Sequence, residues 1–495
     1  MSNGRTIAVR RLAAAASVVA LLAAFFLFAS QGRVASETEG PAASETEGPV
    51  ASETMSAADT GKPDVTTRLD AGFFIDLLGG AGPQDIDRAL DALEEAYDPA
   101  LIPQIIETAI YTPSRRTERG LFALLEAKTG QSLGPDAQRW YQWLWNEPER
   151  ISTDYAAFKA DLYRRIDPRF DTYFRDRQDT ARIRLDEIRW GGVPQDGIPP
   201  LRSPQMISAA EATYLDADDI VFGLEIDGDV RAYPRRILAW HEMFTDTIGG
   251  IDIAGVYCTL CGTVIPYKTE ANGFKHQLGT SGFLYRSNKL MYDAATQSLW
   301  NTIKGEPVVG PLAASGIQLE HFPVVTTTWG EWVRRHPTTQ VLSLKTGHRR
   351  DYGEGVAYAE YFATDRLMFN TPFNDDRLRN KQEVVALRFP GAPNEQLAVD
   401  TAYLSRNAIH EDRVGSQRLV ILTDVSGANR VYDPEDVSFV DYDRDAALTD
   451  SEGVKWTLEE GRLVSRSGRK LDRLPSTRAF WFGWHATYPE TRLVQ

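Results

Sequence analysis

The stretch IDIAGVYCTLCGTVIPY, from Ile251 to Tyr267, carries both cysteines of a 495-residue chain, Cys258 and Cys261. Ile251 to Tyr257 is rich in β-branched and aromatic residues and reads as a strand that runs into the first cysteine. The residues after the pair, Gly262-Thr263-Val264-Ile265-Pro266-Tyr267, are again β-branched and punctuated by proline. A thioredoxin-like Cys-x-x-Cys needs a helix after it, because the helix N-terminus lowers the first thiol's pKa. This pair opens onto sheet sequence, which argues against that fold.

The same texture extends on both sides. Ile220 to Ile226, an Asp227-Gly228 turn and Val230 to Tyr233 predict a hairpin. A short helix over Pro234 to Glu242 follows, then Gly249-Gly250 turns the chain into the cysteine strand. Further strands are predicted over Leu319 to Thr326, Val341 to Leu344, Val384 to Phe389 and Leu419 to Thr423. Thr328 is placed to cap a helix over Trp329 to His336, which Pro337 stops. Residues 190–495 therefore read as one large β-rich domain.

Before Trp190-Gly191-Gly192 the periodicity is helical. Ile86, Leu90, Leu93 and Tyr97 recur at helical spacing, and Asp98-Pro99 ends that helix. Segments follow over Leu101 to Tyr111, up to Thr129-Gly130, after Pro135 with Trp140, Tyr141, Trp143 and Trp145, and over Tyr155 to Ile166. Short helices with brief Pro/Gly connections predict paired, stacked helices, loosely HEAT-like, over residues 71–189. The fold class is α+β: a helical part followed by a large β-rich mixed part.

Residues 34–54 repeat the unit VASETEGP, too polar to offset ordering entropy, so residues 34–70 read as a disordered acidic linker. Residues 1–33 carry Arg5, Arg10 and Arg11 ahead of an apolar run from Leu12 to Ala29. That is the pattern of a signal peptide or a single membrane anchor, with the rest of the chain extracytoplasmic. An uncleaved segment makes the membrane a partner, and the helical part offers a face for a protein partner. Lys and Arg total 54 against 69 Asp and Glu, a net charge of −15, which argues against nucleic-acid binding.

Three chemistries remain open for the cysteines. Two thiolates and an imidazole suit a soft metal, copper before zinc. His241, at the end of the short helix before the cysteine strand, is the candidate third ligand, with Glu242 and Asp246 to orient it. The pair could instead exchange between dithiol and disulfide. The alternative is a standing disulfide in a cell-envelope scaffold, although so short a loop constrains the unfolded chain little. Ser281, in Gly279-Thr280-Ser281-Gly282, lacks the nucleophile-elbow pattern. Asp293 is placed as a turn former. No catalytic residue is assigned, and whether the protein is an enzyme stays open.

Several strings together resemble one family: Arg231-Ala232-Tyr233-Pro234, Trp240-His241-Glu242, Asp246-Thr247-Ile248-Gly249-Gly250 and Tyr257-Cys258-Thr259-Leu260-Cys261-Gly262, then Ser281-Gly282-Phe283-Leu284-Tyr285, Met291-Tyr292-Asp293, Ser298-Leu299-Trp300 and Phe480-Trp481-Phe482-Gly483-Trp484. Their order is similar to that of the bacterial and archaeal domain of unknown function 3179, over about residues 190–495. The resemblance implies an exported or anchored protein and a domain boundary near residue 190, but no activity. It marks Cys258, Cys261, His241, Glu242, Ser281, Tyr285, Asp293 and Trp300 as family positions. Ser281, Tyr285, Asp293, Trp300, Trp481 and Trp484 are candidates to line a ligand pocket. Relatives often carry Pro-Leu between the cysteines where this chain has Thr259-Leu260. They also often carry a histidine where this chain has Phe373 or Asn374, which weakens any multi-histidine metal site here.

Overall fold

A computed structural model describes residues 69–79 and 82–495, and Leu69–Gln495 forms one compact unit. The N-terminal arginines, the apolar run and the acidic repeat lie outside the described residues. Among the described residues, no helix is long and apolar enough to cross a membrane.

The helical part follows its sequence signals closely. Pro83 opens the helix Pro83–Glu95, where a missing N–H costs nothing. Ser114 caps Arg115–Thr129 through its hydroxyl, and Gly130 closes that helix in the left-handed conformation. Ala137–Asn146 buries Trp140, Tyr141, Leu144 and Trp145 and leaves Trp143 half-buried. These helices and Tyr155–Tyr163 share one core with Phe283, Leu290, Tyr292 and Leu299 of a β-sheet. The helices are thus a layer on a sheet, each supplying an apolar stripe that the sheet face covers. At the centre of the layer a fully buried pair, Lys159 with Glu107 at 2.6 Å, also draws the Ile188 carbonyl onto the Lys159 ammonium.

The supporting sheet is antiparallel, in the order Ile188–Trp190, Leu278–Tyr285, Asn288–Asp293, Leu299–Asn301, Glu306–Val309. Behind it lies a four-stranded sheet of Leu201–Arg202, Met243–Ile248, Ile251–Cys258 and Thr263–Lys268. The predicted Asp227-Gly228 hairpin joins Ile220–Ile226 to Asp229–Pro234, with both turn residues at positive φ as the type I′ turn demands. A further sheet orders Thr477–Phe480, Glu383–Arg388, Gln396–Asp400 and Arg492–Val494, and a five-stranded meander covers Phe439–Asp472. The β-rich part is therefore several small sheets packed by their inner faces. Thr328 caps Trp329–Arg335 as expected, its hydroxyl accepting from the Glu331 N–H. The segment Leu319 to Thr326 forms a regular strand only from Val325, as Val325–Thr328 beside Ile220–Gly223, while His321 makes a single antiparallel bridge to Tyr267.

Candidate functional site

The cysteine pair occupies the turn between Ile251–Cys258 and Thr263–Lys268, with Cys258 opposite Thr263 and Gly262 in the left-handed conformation. No helix follows the pair. Three neighbours hold the turn. The Phe480 N–H donates to the Cys261 carbonyl (2.7 Å), the Tyr361 hydroxyl donates to the Leu260 carbonyl (2.7 Å), and the Cys261 S–H donates to the Ser287 carbonyl (3.2 Å). Ser287 belongs to a second two-residue hairpin loop, Arg286-Ser287, between paired Tyr285 and Asn288, with φ of 50° and 64°. Neither residue is glycine, so the loop is strained by about 1–3 kcal/mol per residue. Bonds from Arg286 to buried Glu187 (2.5 Å) and to the Ala486 carbonyl (3.1 Å) hold it there.

Both cysteines are free thiols, Sγ to Sγ 2.8 Å apart, with Cys258 2% exposed and Cys261 fully buried. A standing disulfide is therefore not the state of the pair in this structure. In the protonated pair the Cys258 S–H faces Cys261, whose own proton goes to Ser287. The two thiols are not equivalent. Burial pushes Cys258 up, yet hydrogen bonds from Cys261 Sγ and from the main-chain N–H groups of Lys289 and Cys261 outweigh it and hold Cys258 below the usual thiol range. Burial and the adjoining sulfur push Cys261 well above that range. The first proton lost is therefore that of Cys258, with the Cys261 S–H left to donate to it.

A buried ion pair adjoins the thiols. Lys289 Nζ lies 2.8 Å from Glu242 Oε2 and 3.2 Å from the Glu242 carbonyl, and the Tyr358 hydroxyl donates to Glu242 Oε1 (3.3 Å). Glu242 sits at φ 55° as the cap of Arg235–His241, which turns its side chain back towards the hairpin. Its carboxylate opposes ionisation of both cysteines.

A long connection, residues 343–382, covers the pair with little regular structure beyond Ala359–Phe362. Tyr361 packs directly on the cysteines, with Tyr358, Leu367 and Phe369 around it. Lys381 fastens the segment by donating to the Tyr361 and Thr364 carbonyls, its ammonium 3.4 Å from the Tyr361 ring centroid. Five of the large apolar side chains that remain exposed among the described residues lie on this strap: Leu344, Val356, Phe362, Met368 and Phe373. On the opposite side, Gly483 of the helix Trp481–Thr487 lies so close that a Cβ would stand 3.0 Å from Cys261 Cβ.

The expected metal set is not brought together. His241 Nδ1 contacts the Pro199 carbonyl (2.8 Å) and Nε2 the Tyr352 hydroxyl (2.6 Å), so both ring nitrogens are taken away from the sulfurs. Burial lowers its pKa to about 4, which keeps the ring neutral. Glu242 serves Lys289 rather than His241, and Asp246 is held by Arg231 (2.7 Å) and Tyr233 (2.7 Å). Among the described residues no group of three or more His, Cys, Asp and Glu is placed to hold a metal. The helix end and the cysteine strand are close in sequence, but the imidazole is held by Pro199 and Tyr352 instead.

The remaining candidates have structural duties. The Ser281 hydroxyl donates to the Leu290 carbonyl (2.6 Å) and accepts from the Phe283 N–H (3.0 Å), pinning the bulge at Gly282. Asp293 accepts from the Gln277 and Thr296 N–H groups and closes its turn. Trp300, Trp481 and Trp484 pack in one core with Met291 and Tyr267, and Tyr285 joins the core of the helical layer. Lys289, Ser287, Tyr358 and Tyr361 complete the site without having been singled out. Lys289 carried a weak signal, a cation directly before the apolar run Leu290 to Tyr292.

A family described as protein of unknown function (DUF3179) matches residues 195–491. The chain belongs to that family. No curated protein and no solved structure matches it. The DUF3179 match takes in both cysteines, the Glu242–Lys289 pair, the strap and Gly483, so every group that encloses the thiols lies inside it. It excludes the helical layer and the strand Ile188–Trp190, although that strand pairs with Phe283–Tyr285 inside it.

Proposed function

We propose that the DUF3179 domain of this chain is built around a reversible dithiol that exchanges with an external disulfide, in an extracytoplasmic setting to which the N-terminal segment delivers it. The observation that carries the reading is the asymmetric pair: two free thiols 2.8 Å apart, of which one is depressed and the other raised. Such asymmetry assigns an attacking and a resolving sulfur. The Cys258 thiolate attacks one sulfur of an external disulfide, forming a mixed disulfide and releasing one thiolate. Cys261 then attacks Cys258 Sγ, its proton passing to a departing thiolate, and the second external sulfur leaves. The domain's dithiol is oxidised to a disulfide, and the external disulfide is reduced to two thiols. Closure from 2.8 Å to about 2.05 Å needs little movement of the turn.

A soft-metal reading of the same sulfurs requires a ligand other than His241, whereas exchange uses only the groups that adjoin them. The strap must move for either sulfur to meet a second molecule, since both are buried. A redox titration of the full chain against glutathione couples, read by mass mapping of alkylated cysteines, tests the proposal. A single reversible two-electron transition, with the Cys258–Cys261 bridge as product, supports it. A pair that stays as two thiols under fully oxidised glutathione, in native protein and in Tyr361→Phe protein alike, contradicts it.

A further inference from the structure

A groove of about 500 Å³ runs between the helix Ala137–Asn146 and residues 367–374 of the strap. Its walls include Arg139, Gln142, Trp143, Asn146, Leu367 and Asn370. Three of these are amides whose nitrogens are committed to main-chain carbonyls. Gln142 Nε2 donates to Pro372 O (3.1 Å), Asn146 Nδ2 to Gln142 O (2.7 Å) and Asn370 Nδ2 to Gln138 O (3.3 Å). A carbonyl can only accept, so each amide is oriented with its nitrogen to the wall. Each oxygen accepts nothing from the described residues and each nitrogen keeps a second N–H, so every amide has acceptor and donor capacity left for a ligand.

The groove thus offers uncharged donors and acceptors, an indole and an isobutyl surface, and one guanidinium, Arg139, part of which is spent on Leu133 O (3.1 Å). No carboxylate lines it. Amides with an acceptor oxygen and a spare N–H pair well with hydroxyls, which both donate and accept. A half-buried tryptophan beside them suits an apolar C–H face, and the volume fits a ligand of one to two sugar rings. We infer that this groove binds a neutral polyhydroxylated ligand, a carbohydrate of mono- to disaccharide footprint. The inference does not rest on the dithiol reading, although Leu367 both lines the groove and packs against the cysteine cluster.

Saturation-transfer NMR on the full chain, with maltotetraose and the tetramer of N-acetylglucosamine as probes, tests it. Saturable transfer from at least one probe at millimolar concentration is expected, with at least a tenfold loss of affinity in Trp143→Ala. Because Trp143 also touches the core, Asn146→Leu at the exposed helix end provides a second variant, expected to weaken binding severalfold with an unchanged melting temperature. Absence of saturable transfer from both probes, or equal binding by the native protein and both variants, overturns the inference. So does a groove that binds sulfate through Arg139 in preference to either oligosaccharide.

Discussion

Replacing Glu242 by glutamine separates the electrostatic role of the buried pair from its structural one. Lys289 and Glu242 are 6% and 9% exposed, so the ammonium has no water to fall back on. Breaking a buried pair costs about 3–5 kcal/mol. The amide carbonyl of Glu242→Gln still accepts from the ammonium, a charge-assisted bond of about 1.5–3 kcal/mol, which leaves a net loss of about 2 kcal/mol. Unfolding entropy of about 2.1 cal/mol/K per residue sums to about 0.9 kcal/mol/K over Leu69–Gln495, so the melting temperature should fall by about 2 °C. The same change removes a carboxylate that opposes thiolate formation at Cys258, so its alkylation at neutral pH should quicken severalfold. Calorimetry and cysteine-resolved alkylation read the two effects separately. The double variant Glu242→Gln/Lys289→Met should recover the lost stability, because no charge is left buried. Unchanged melting with unchanged alkylation in Glu242→Gln would refute the placement of this pair beside the thiols.

Gly483→Ala places a Cβ 3.0 Å from Cys261 Cβ; overpacking of about 1–3 kcal/mol outweighs the gain of about 1 kcal/mol in helix propensity, and urea unfolding should show a net loss. Thr259 Oγ1 is buried without a partner, so Thr259→Val should stabilise the protein by about 1 kcal/mol in the same assay, and a loss would mean the hydroxyl is satisfied. Burial lowers His241 to about 4 and His321 to about 3, so both rings are neutral in the native protein. The unfolded chain takes up these protons first. Their contribution is therefore complete above about pH 6.5 and is lost on acidification towards those values, at about 1.4 kcal/mol per pH unit for each ring. Urea unfolding between pH 7 and pH 5 should show stability falling with acidification, with a slope shallower in His321→Gln by about 1.4 kcal/mol per pH unit; a flat profile, or the same slope in His321→Gln, would contradict it.

Local signals in the sequence carried well. The Asp227-Gly228 hairpin, the Thr328 cap and the Gly130 stop are each decided by a few neighbouring atoms, and each forms where the residues place it. The β character after Cys261 also excluded a redox helix. What was not legible depends on long-range packing. The helices read as a self-stacked array, whereas their apolar stripes close on the sheet through Phe283 and Tyr292. His241 read as a ligand from its nearness in sequence, whereas its ring nitrogens bond Pro199 and Tyr352, 42 residues before and 111 residues after it. Lys289, Tyr361 and Gly483 reach the thiols from positions 28, 100 and 222 residues beyond Cys261, distances over which no periodicity speaks. The tryptophans of the closing Phe480-Trp481-Phe482-Gly483-Trp484 looked like a pocket lining because aromatic clusters serve both uses. Their burial with Trp300 makes them core.

The assignment of Cys258 as the attacking sulfur has one direct test. Full-length Cys261→Ser and Cys258→Ser proteins are incubated with oxidised glutathione at neutral pH and analysed intact and after digestion. In Cys261→Ser, loss of the resolving thiol should trap one glutathione on Cys258. In Cys258→Ser, the raised thiol of Cys261 should stay unmodified over the same period. Adducts at Cys261 in preference to Cys258, or no adduct at either while the fold is intact, would contradict the account.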